Sequence, residues 1–313
     1  MNMKIAIVGA GGVGGYFGAR LAAAGEDVWF IARGAHLEAM RRDGLQVLSG
    51  LGDVLVKPVQ ATETPAQVGP VDVVMLAVKL WSTDEALRDA APLVGPASSV
   101  VSFQNGVIAA DRVAAHYGRE RTLGGVSAIA ALIERPGVIR HNGTMANLQI
   151  GELDGRPSAR VEALRAACER AKIECKAPAN IVKAIWEKYV FLVAASSMTA
   201  LTRLPLGAIR EDPDTRALTA QIMSEVTAVG RAQGVALDAD LVDKLLARLD
   251  GLPRTMVASM LGDLERGNRL ELPWLAGGVV QLGRESGVPT PANQFVFAAL
   301  KHYVNGRPAD ARS

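Results

Sequence analysis

In the first half of the chain the apolar residues come in short unbroken blocks. In the second half they recur at helical spacing. The first block, KIAIV at residues 4–8, is rich in β-branched residues, as a strand buried on both faces of a parallel sheet requires. The pattern then predicts a helix over residues 13–24, stopped by Gly25 as a C′ residue, and a second strand over 27–32. Further buried strands are predicted at 72–78 and 99–103, separated by an amphipathic helix over 81–93 that stops at Gly95-Pro96. Residues 121–131 and 137–151 predict two more strands, the latter a hairpin around Asn142-Gly143. Such alternation implies an α/β fold: a Rossmann-type, doubly wound, mostly parallel sheet.

After Pro157 the pattern changes. Residues 159–171 predict a helix with Val161, Leu164, Ala167 and Cys168 on one face. Beyond Pro178 the period is helical throughout, over about 181–202, 215–233, 239–249, 270–286 and 293–304, with Gly or Pro in each gap. The expected organisation is a Rossmann-type domain over 1–178 and an all-α domain over 179–313.

The first strand ends in Gly9-Ala10-Gly11-Gly12-Val13-Gly14, which contains the G-x-G-x-x-G spacing. Gly9 permits the tight turn, Gly11 lets the backbone approach a pyrophosphate, and Gly14 lets the helix pack close to the strand. The N–H groups and dipole of that helix face the phosphates. The strand–turn–helix–strand context is met on both sides. After the second strand comes Arg33, where an acidic residue would mark NAD, and no acid follows until Glu38. A cation there suits a 2′-phosphate, so the expected cofactor is NADP(H), although a solvated surface arginine is the commoner role for such a residue taken alone.

Composition narrows the class. The 313 residues are 49% hydrophobic and 21% charged, enough for two packed domains. With 34 basic and 32 acidic side chains the net charge is +2, which points to neither nucleic acid nor a membrane as partner. The two cysteines, Cys168 and Cys175, suit neither a disulfide framework nor a metal site, and a reducing cytoplasm is the simplest expectation. No signal peptide is visible, and the longest apolar segment, residues 189–195, is short of a membrane span. The four histidines have no metal spacing, so no metal site is expected. Apolar helical faces in the second half leave a homodimer open.

Three polar features fall at strand ends, where open parallel sheets bind ligands: the Gly9 loop, Lys79 and Asn105. Locally, Lys79 reads equally as a solvated lysine at a helix start, and Asn105-Gly106 as a turn. Lys188 lies within IWEKYVFL, a largely apolar helical run. Such a lysine snorkels to solvent in the usual case. Alternatively, a partly desolvated ammonium aimed at an interdomain cleft protonates an oxyanion formed by hydride addition. Glu271 stands at the expected start of a helix, where an acid complements the dipole. No Tyr-x-x-x-Lys occurs, which disfavours short-chain dehydrogenase catalysis.

Taken together, GAGGVGG at Gly9, the lone Arg33, VKLW at Val78, QNGV at Gln104, WEKYVF at Trp186, TALTRLPLG at Thr199, SMLGDLERGNRLEL at Ser259 and GVPTPANQ at Gly287 resemble the ketopantoate reductase family over nearly the whole chain. The resemblance implies NADPH-dependent reduction of a 2-oxo acid, first of all 2-dehydropantoate to pantoate. By position it implies that residues 9–14 hold the pyrophosphate and that Arg33 and Lys79 meet the 2′-phosphate region. Asn105 would lie between nicotinamide ribose and substrate, Lys188 would be the general acid, and Glu271 would act beside cofactor and substrate hydroxyl. The family's asparagines one and two turns beyond the lysine are here Leu192 and Ser196. A further asparagine is Leu206, and Pro273 and Ala276 replace a common Asp and Asn. Ser196, Thr199, Arg203 and Ser259 remain as polar groups for a carboxylate or carbonyl. Two alternatives follow from the altered pocket: a different keto or imine substrate on the same scaffold, or a non-catalytic NADP(H)-binding redox sensor.

Overall fold

The computed structural model describes residues 2–308. Two compact units divide between Ala184 and Ile185.

The first unit is built on a sheet of ten strands: β1 Lys4–Val8, β2 Asp27–Ile31, β3 Leu45–Ser49, β4 Val54–Val56, β5 Gln60–Thr62, β6 Val73–Leu76, β7 Ser99–Ser102, β8 Thr122–Arg135, β9 Val138–Glu152 and β10 Glu174–Lys176. Their order is β4-β3-β9-β8-β7-β6-β1-β2-β5, with β10 beside β9. Pairing is parallel except in β3–β4 and β8–β9. The run β5-β2-β1-β6-β7-β8 is the doubly wound core, with the switch in strand order between β1 and β6. The unbroken apolar blocks have a simple cause. Successive side chains point to opposite faces, so Ile5, Ile7, Val28, Phe30, Val73 and Met75 fill one core. Ala6, Val8, Ile31, Val74, Leu76 and Val100 fill the other. Helices α1 Gly12–Ala23, α2 Gly34–Asp43, α3 Thr83–Asp89, α4 Ala109–Tyr117 and α5 Ala159–Arg170 complete the layers. Cys168 is buried and Cys175 partly so, both as free thiols.

Three expectations are corrected. The helix expected over 81–93 is broken into a 3₁₀ turn at Leu80–Ser82, α3, and a second 3₁₀ turn at Ala91–Leu93. Pro92 lacks the N–H a continuous helix would need. The hairpin of β8 and β9 turns at Pro136-Gly137, where Gly137 has φ 79°, and not at Asn142-Gly143. Asn142-Gly143 instead lies in a bulge of β9, where the register jumps from Ala131↔His141 to Ile129↔Ala146. Its turn chemistry is used, but inside a strand. Finally, the helix expected to start at 270 begins at Ala276, so Glu271 lies in the turn before it. Pro273 and the non-helical Leu275 (φ −93°, ψ −106°) hold the helix off.

The second unit is helical among the described residues: most of α6 Ile181–Thr202, then α7 Leu206–Glu211, α8 Pro213–Ala232, α9 Leu241–Asp250, α10 Ser259–Glu265, α11 Ala276–Ser286 and α12 Pro291–Leu300. α8 packs against α7, α9, α11 and α12. Its Asp212 cap accepts from Thr215 N–H at 2.8 Å, and Pro213 fits the first helical position. Further along α8 the buried Glu225 carboxylate accepts from the N–H groups of Ala292 (2.8 Å) and Asn293 (3.0 Å) and from Asn293 Nδ2 (2.8 Å). It therefore caps α12, satisfying amides that would otherwise be buried without partners. Glu225→Ala is expected to lower unfolding stability by about 2–3 kcal/mol, read from the denaturant midpoint. An unchanged midpoint would show that the cap contributes nothing. No helix among the described residues is long and apolar enough to cross a membrane.

Candidate functional site

In the first unit the parallel register sets the carboxyl ends of four strands side by side. Val8 pairs with Ile31 and with Leu76, and Leu76 with Ser102. Gly9, Arg33, Lys79 and Asn105 each follow one of these ends by one to three residues. The sheet thus brings the sequence-derived cofactor residues to one edge, the edge where doubly wound sheets bind ligands.

The glycines of the loop do different work. Gly9 has φ 100°, a conformation other residues rarely adopt, and its N–H donates to Ile31 O at 3.1 Å. A Cβ on Gly14 would stand 2.1 Å from Gly9 O, and one on Gly12 2.1 Å from Ala131 O, so both are required by packing. A Cβ on Gly11 would meet nothing within 4 Å. Neither its backbone (φ −72°) nor any neighbour demands a glycine there. Gly11 is the N-cap of α1, whose first turn carries no acid and whose amides have no side-chain cap. Uncapped N–H groups, the positive end of a helix dipole and open space at the one glycine of this loop that packing does not require fit a pyrophosphate.

The loop is braced by a residue that sequence reasoning missed. His36 Nδ1 accepts from Gly137 N–H (3.1 Å), so Nε2 carries the proton and donates to Ala10 O (2.9 Å). Burial lowers the His36 pKa, with the Ala10 bond acting the other way, and the ring stays neutral. Gln104 was also missed. Its Nε2 donates to Val78 O and to Thr83 Oγ1, each at 2.9 Å, and its Oε1 accepts from Ser102 Oγ at 3.1 Å. This buried network joins the ends of β6 and β7 to the start of α3 and fixes the segment that carries the half-buried Asn105. Lys79 is exposed, with Nζ 5.7 Å from the centre of the Trp81 ring. Arg33 differs from expectation in one respect. Its guanidinium is already engaged, with Glu85 Oε1 at 2.7 Å and Asp89 Oδ2 at 2.5 Å.

In the second unit Lys188 and Glu271 interact. Lys188 is half-buried on α6, and desolvation lowers its pKa to about 8 against the opposing attraction of Glu271. Glu271 is buried. The turn that carries it is pinned from both ends. Its carbonyl accepts from Trp274 N–H (3.0 Å) and Leu275 N–H (3.1 Å), while Tyr189 Oη donates to Trp274 O and Leu275 O, both at 2.9 Å. Tyr189, next to Lys188, is buried and packed edge-on against Trp186. An ammonium poised near neutrality beside a carboxylate can deliver a proton.

Leu192 and Ser196 follow Lys188 at one-turn intervals on the same helical stripe. Ser196 is 1% exposed and its hydroxyl has no hydrogen-bond partner, as is also true of the fully buried Ser197. Such a hydroxyl costs about 1–3 kcal/mol and calls for a reason. Thr199 differs, because its hydroxyl donates to Ala195 O at 2.7 Å, so its one proton is already engaged. Ser259 is exposed at the first residue of α10, and Arg203 takes a left-handed φ of 60°. No cluster of residues able to hold a metal occurs among the described residues.

Residues 5–155 match the family model described as ketopantoate reductase PanE/ApbA, and residues 180–304 match its C-terminal counterpart. An uncharacterized oxidoreductase of Bacillus subtilis, YkpB, is 32% identical over 96% of this chain and 99% of its own. A 2-dehydropantoate 2-reductase of Mesorhizobium japonicum is 36% identical over 96% of this chain and 97% of its own. The crystal structure of 2-dehydropantoate 2-reductase from Geobacter metallireducens superposes with a TM-score of 0.89 at 31% identity, covering 96% of this chain and 99% of that one. Matches of this extent, over a doubly wound sheet with a glycine-rich turn and a helix carrying a perturbed lysine, place the chain in the ketopantoate reductase family, oxidoreductases that act on CH–OH groups and reduce 2-oxo acids with a nicotinamide cofactor.

Proposed function

We propose that this protein is an NADPH-dependent reductase of a 2-oxo acid, with 2-dehydropantoate the first substrate to test. The observation that carries the reading is Lys188, an ammonium held near its titration point beside the buried Glu271. When bound, the nicotinamide would supply the hydride for the carbonyl carbon. The chain's own residues do the rest. Amides at the start of α1 would hold the pyrophosphate, with Gly11 leaving room for it. Arg33 and Lys79 would meet the 2′-phosphate, and Asn105, on the segment that Gln104 braces, would orient the ribose and substrate. Lys188 Nζ hydrogen-bonds the carbonyl oxygen and gives it a proton as negative charge develops there, so that ketone, hydride and proton become the alcohol. Glu271 keeps the ammonium oriented. The unpartnered Ser196 hydroxyl is a ready donor to the substrate carboxylate.

Leu192 supports a refinement. It sets an apolar side chain between Lys188 and Ser196, which favours a 2-oxo acid whose own side chain is apolar there. Initial rates of NADPH oxidation with 2-dehydropantoate beside branched aliphatic and aromatic 2-oxo acids test both points. Turnover of at least one is expected, and higher kcat/KM for the more apolar members would favour the refinement. Arg33→Ala is expected to weaken NADPH binding about tenfold and leave NADH binding within about twofold. Equal losses for the two cofactors would remove Arg33 from the 2′-phosphate.

A further inference from the structure

Arg33 is the residue whose charge argues for a 2′-phosphate, yet both of its terminal nitrogens are taken. Nη1 donates to Glu85 Oε1 at 2.7 Å and Nη2 to Asp89 Oδ2 at 2.5 Å. The two carboxylates lie one turn apart on α3, so they project on the same face and grip the guanidinium as a pair. The interaction raises the Arg33 pKa and holds the Glu85 carboxyl below its usual range. One cation faces two anions at a position meant to receive a third. All three side chains are well exposed, at 61%, 54% and 45%, so the pairs are weak enough to open.

We propose that Glu85 and Asp89 set the cofactor preference of this enzyme by competing with the 2′-phosphate for Arg33, so that NADPH is bound less tightly than Arg33 alone would allow. The physical basis is local charge. A phosphate that meets Arg33 must displace two carboxylates and then lie beside them, whereas a ribose 2′-hydroxyl carries no charge to be repelled and can donate to either carboxylate. The pair therefore narrows the gap between NADPH and NADH from both sides. Removing one carboxylate leaves the other in place, so the effect is largest when both are neutralised.

The inference rests on the reading in which Arg33 meets the 2′-phosphate, and calorimetric titration with NADPH and NADH separates the two without any substrate. In Glu85→Gln/Asp89→Asn NADPH is expected to bind about tenfold more tightly and NADH no more tightly than to the unmodified enzyme. In the triple variant that also carries Arg33→Ala the gain disappears. Unchanged or weaker NADPH binding in the double variant, with Arg33→Ala alone still losing NADPH affinity, would overturn the competition and leave the role of Arg33 standing. Arg33→Ala with full NADPH affinity would overturn both. Both neutralised side chains are exposed, and matching thermal midpoints for all variants show that the titrations report on binding.

Discussion

Lys188→Ala is expected to lower kcat about a thousandfold, within the range that a lost general acid costs, and to leave NADPH affinity within about twofold. The cause lies in the environment of one atom. Desolvation holds the Lys188 pKa at about 8, and only the protonated form can give a proton to the nascent alkoxide. In the unmodified enzyme kcat should therefore be flat below about pH 8 and fall tenfold per unit above it, an arm that Lys188→Ala lacks. Stability gives a control. A lysine whose pKa is lower folded than unfolded binds fewer protons in the folded state, so it opposes folding below about pH 8 and the penalty fades as the pH rises toward the ordinary lysine value. Lys188→Met should then be more stable at neutral pH by on the order of 2 kcal/mol while losing turnover. Loss of activity with loss of stability in both variants would mean that Lys188 is structural. Unchanged kcat would remove it from the reaction.

The second large effect is a contrast between two glycines three residues apart. Gly14→Ala places a methyl 2.1 Å from Gly9 O and 2.8 Å from Ile7 Cγ2, so α1 must move off β1. The expected cost is about 3 kcal/mol of stability, with cofactor binding lost as a consequence. Gly11→Ala puts its methyl into open space, and stability should fall by no more than about 1 kcal/mol. Its NADPH affinity should nevertheless fall about a hundredfold, because the methyl occupies the approach of the pyrophosphate. Normal NADPH binding by Gly11→Ala would mean that the dinucleotide does not lie over this loop.

These two sites were the most legible parts of the sequence, and the reasons are physical. β1 and β6 are buried on both faces and read as unbroken apolar blocks, and β2 and β7 show apolar runs of four and two residues between polar ends. The glycine spacing and Lys188 within an apolar helical run are local patterns. What escaped either has a weak local pattern or is held by distant residues. α2 is mostly polar along its length, and β4, β5 and β10 are three residues each, too short to show a period. Asn142-Gly143 carried true turn chemistry but sits in a bulge, because Pro136-Gly137 closes the hairpin first. Glu271 stands on a turn and not on the helix expected for it. His36 reaches Gly137 across 101 residues, Tyr189 reaches the Glu271 turn across 85 and 86, and Arg33 meets Glu85 across 52. Hydrogen bonds between such distant positions leave no mark in a single sequence. The engagement of Arg33 matters most among them, since the sequence displays the cation and conceals the two anions that hold it.

In the proposed reaction hydride passes from a bound nicotinamide to the carbonyl carbon of a 2-oxo acid. This transfer is tested most directly by incubating the enzyme with NADPH deuterated at the transferring position of C4 and a 2-oxo acid, then weighing the product. The expected product is a 2-hydroxy acid with one deuterium at C2 for each NADPH consumed. Tight NADPH binding with no labelled 2-hydroxy acid from any member of the substrate panel would contradict it and leave a dinucleotide-binding protein without turnover.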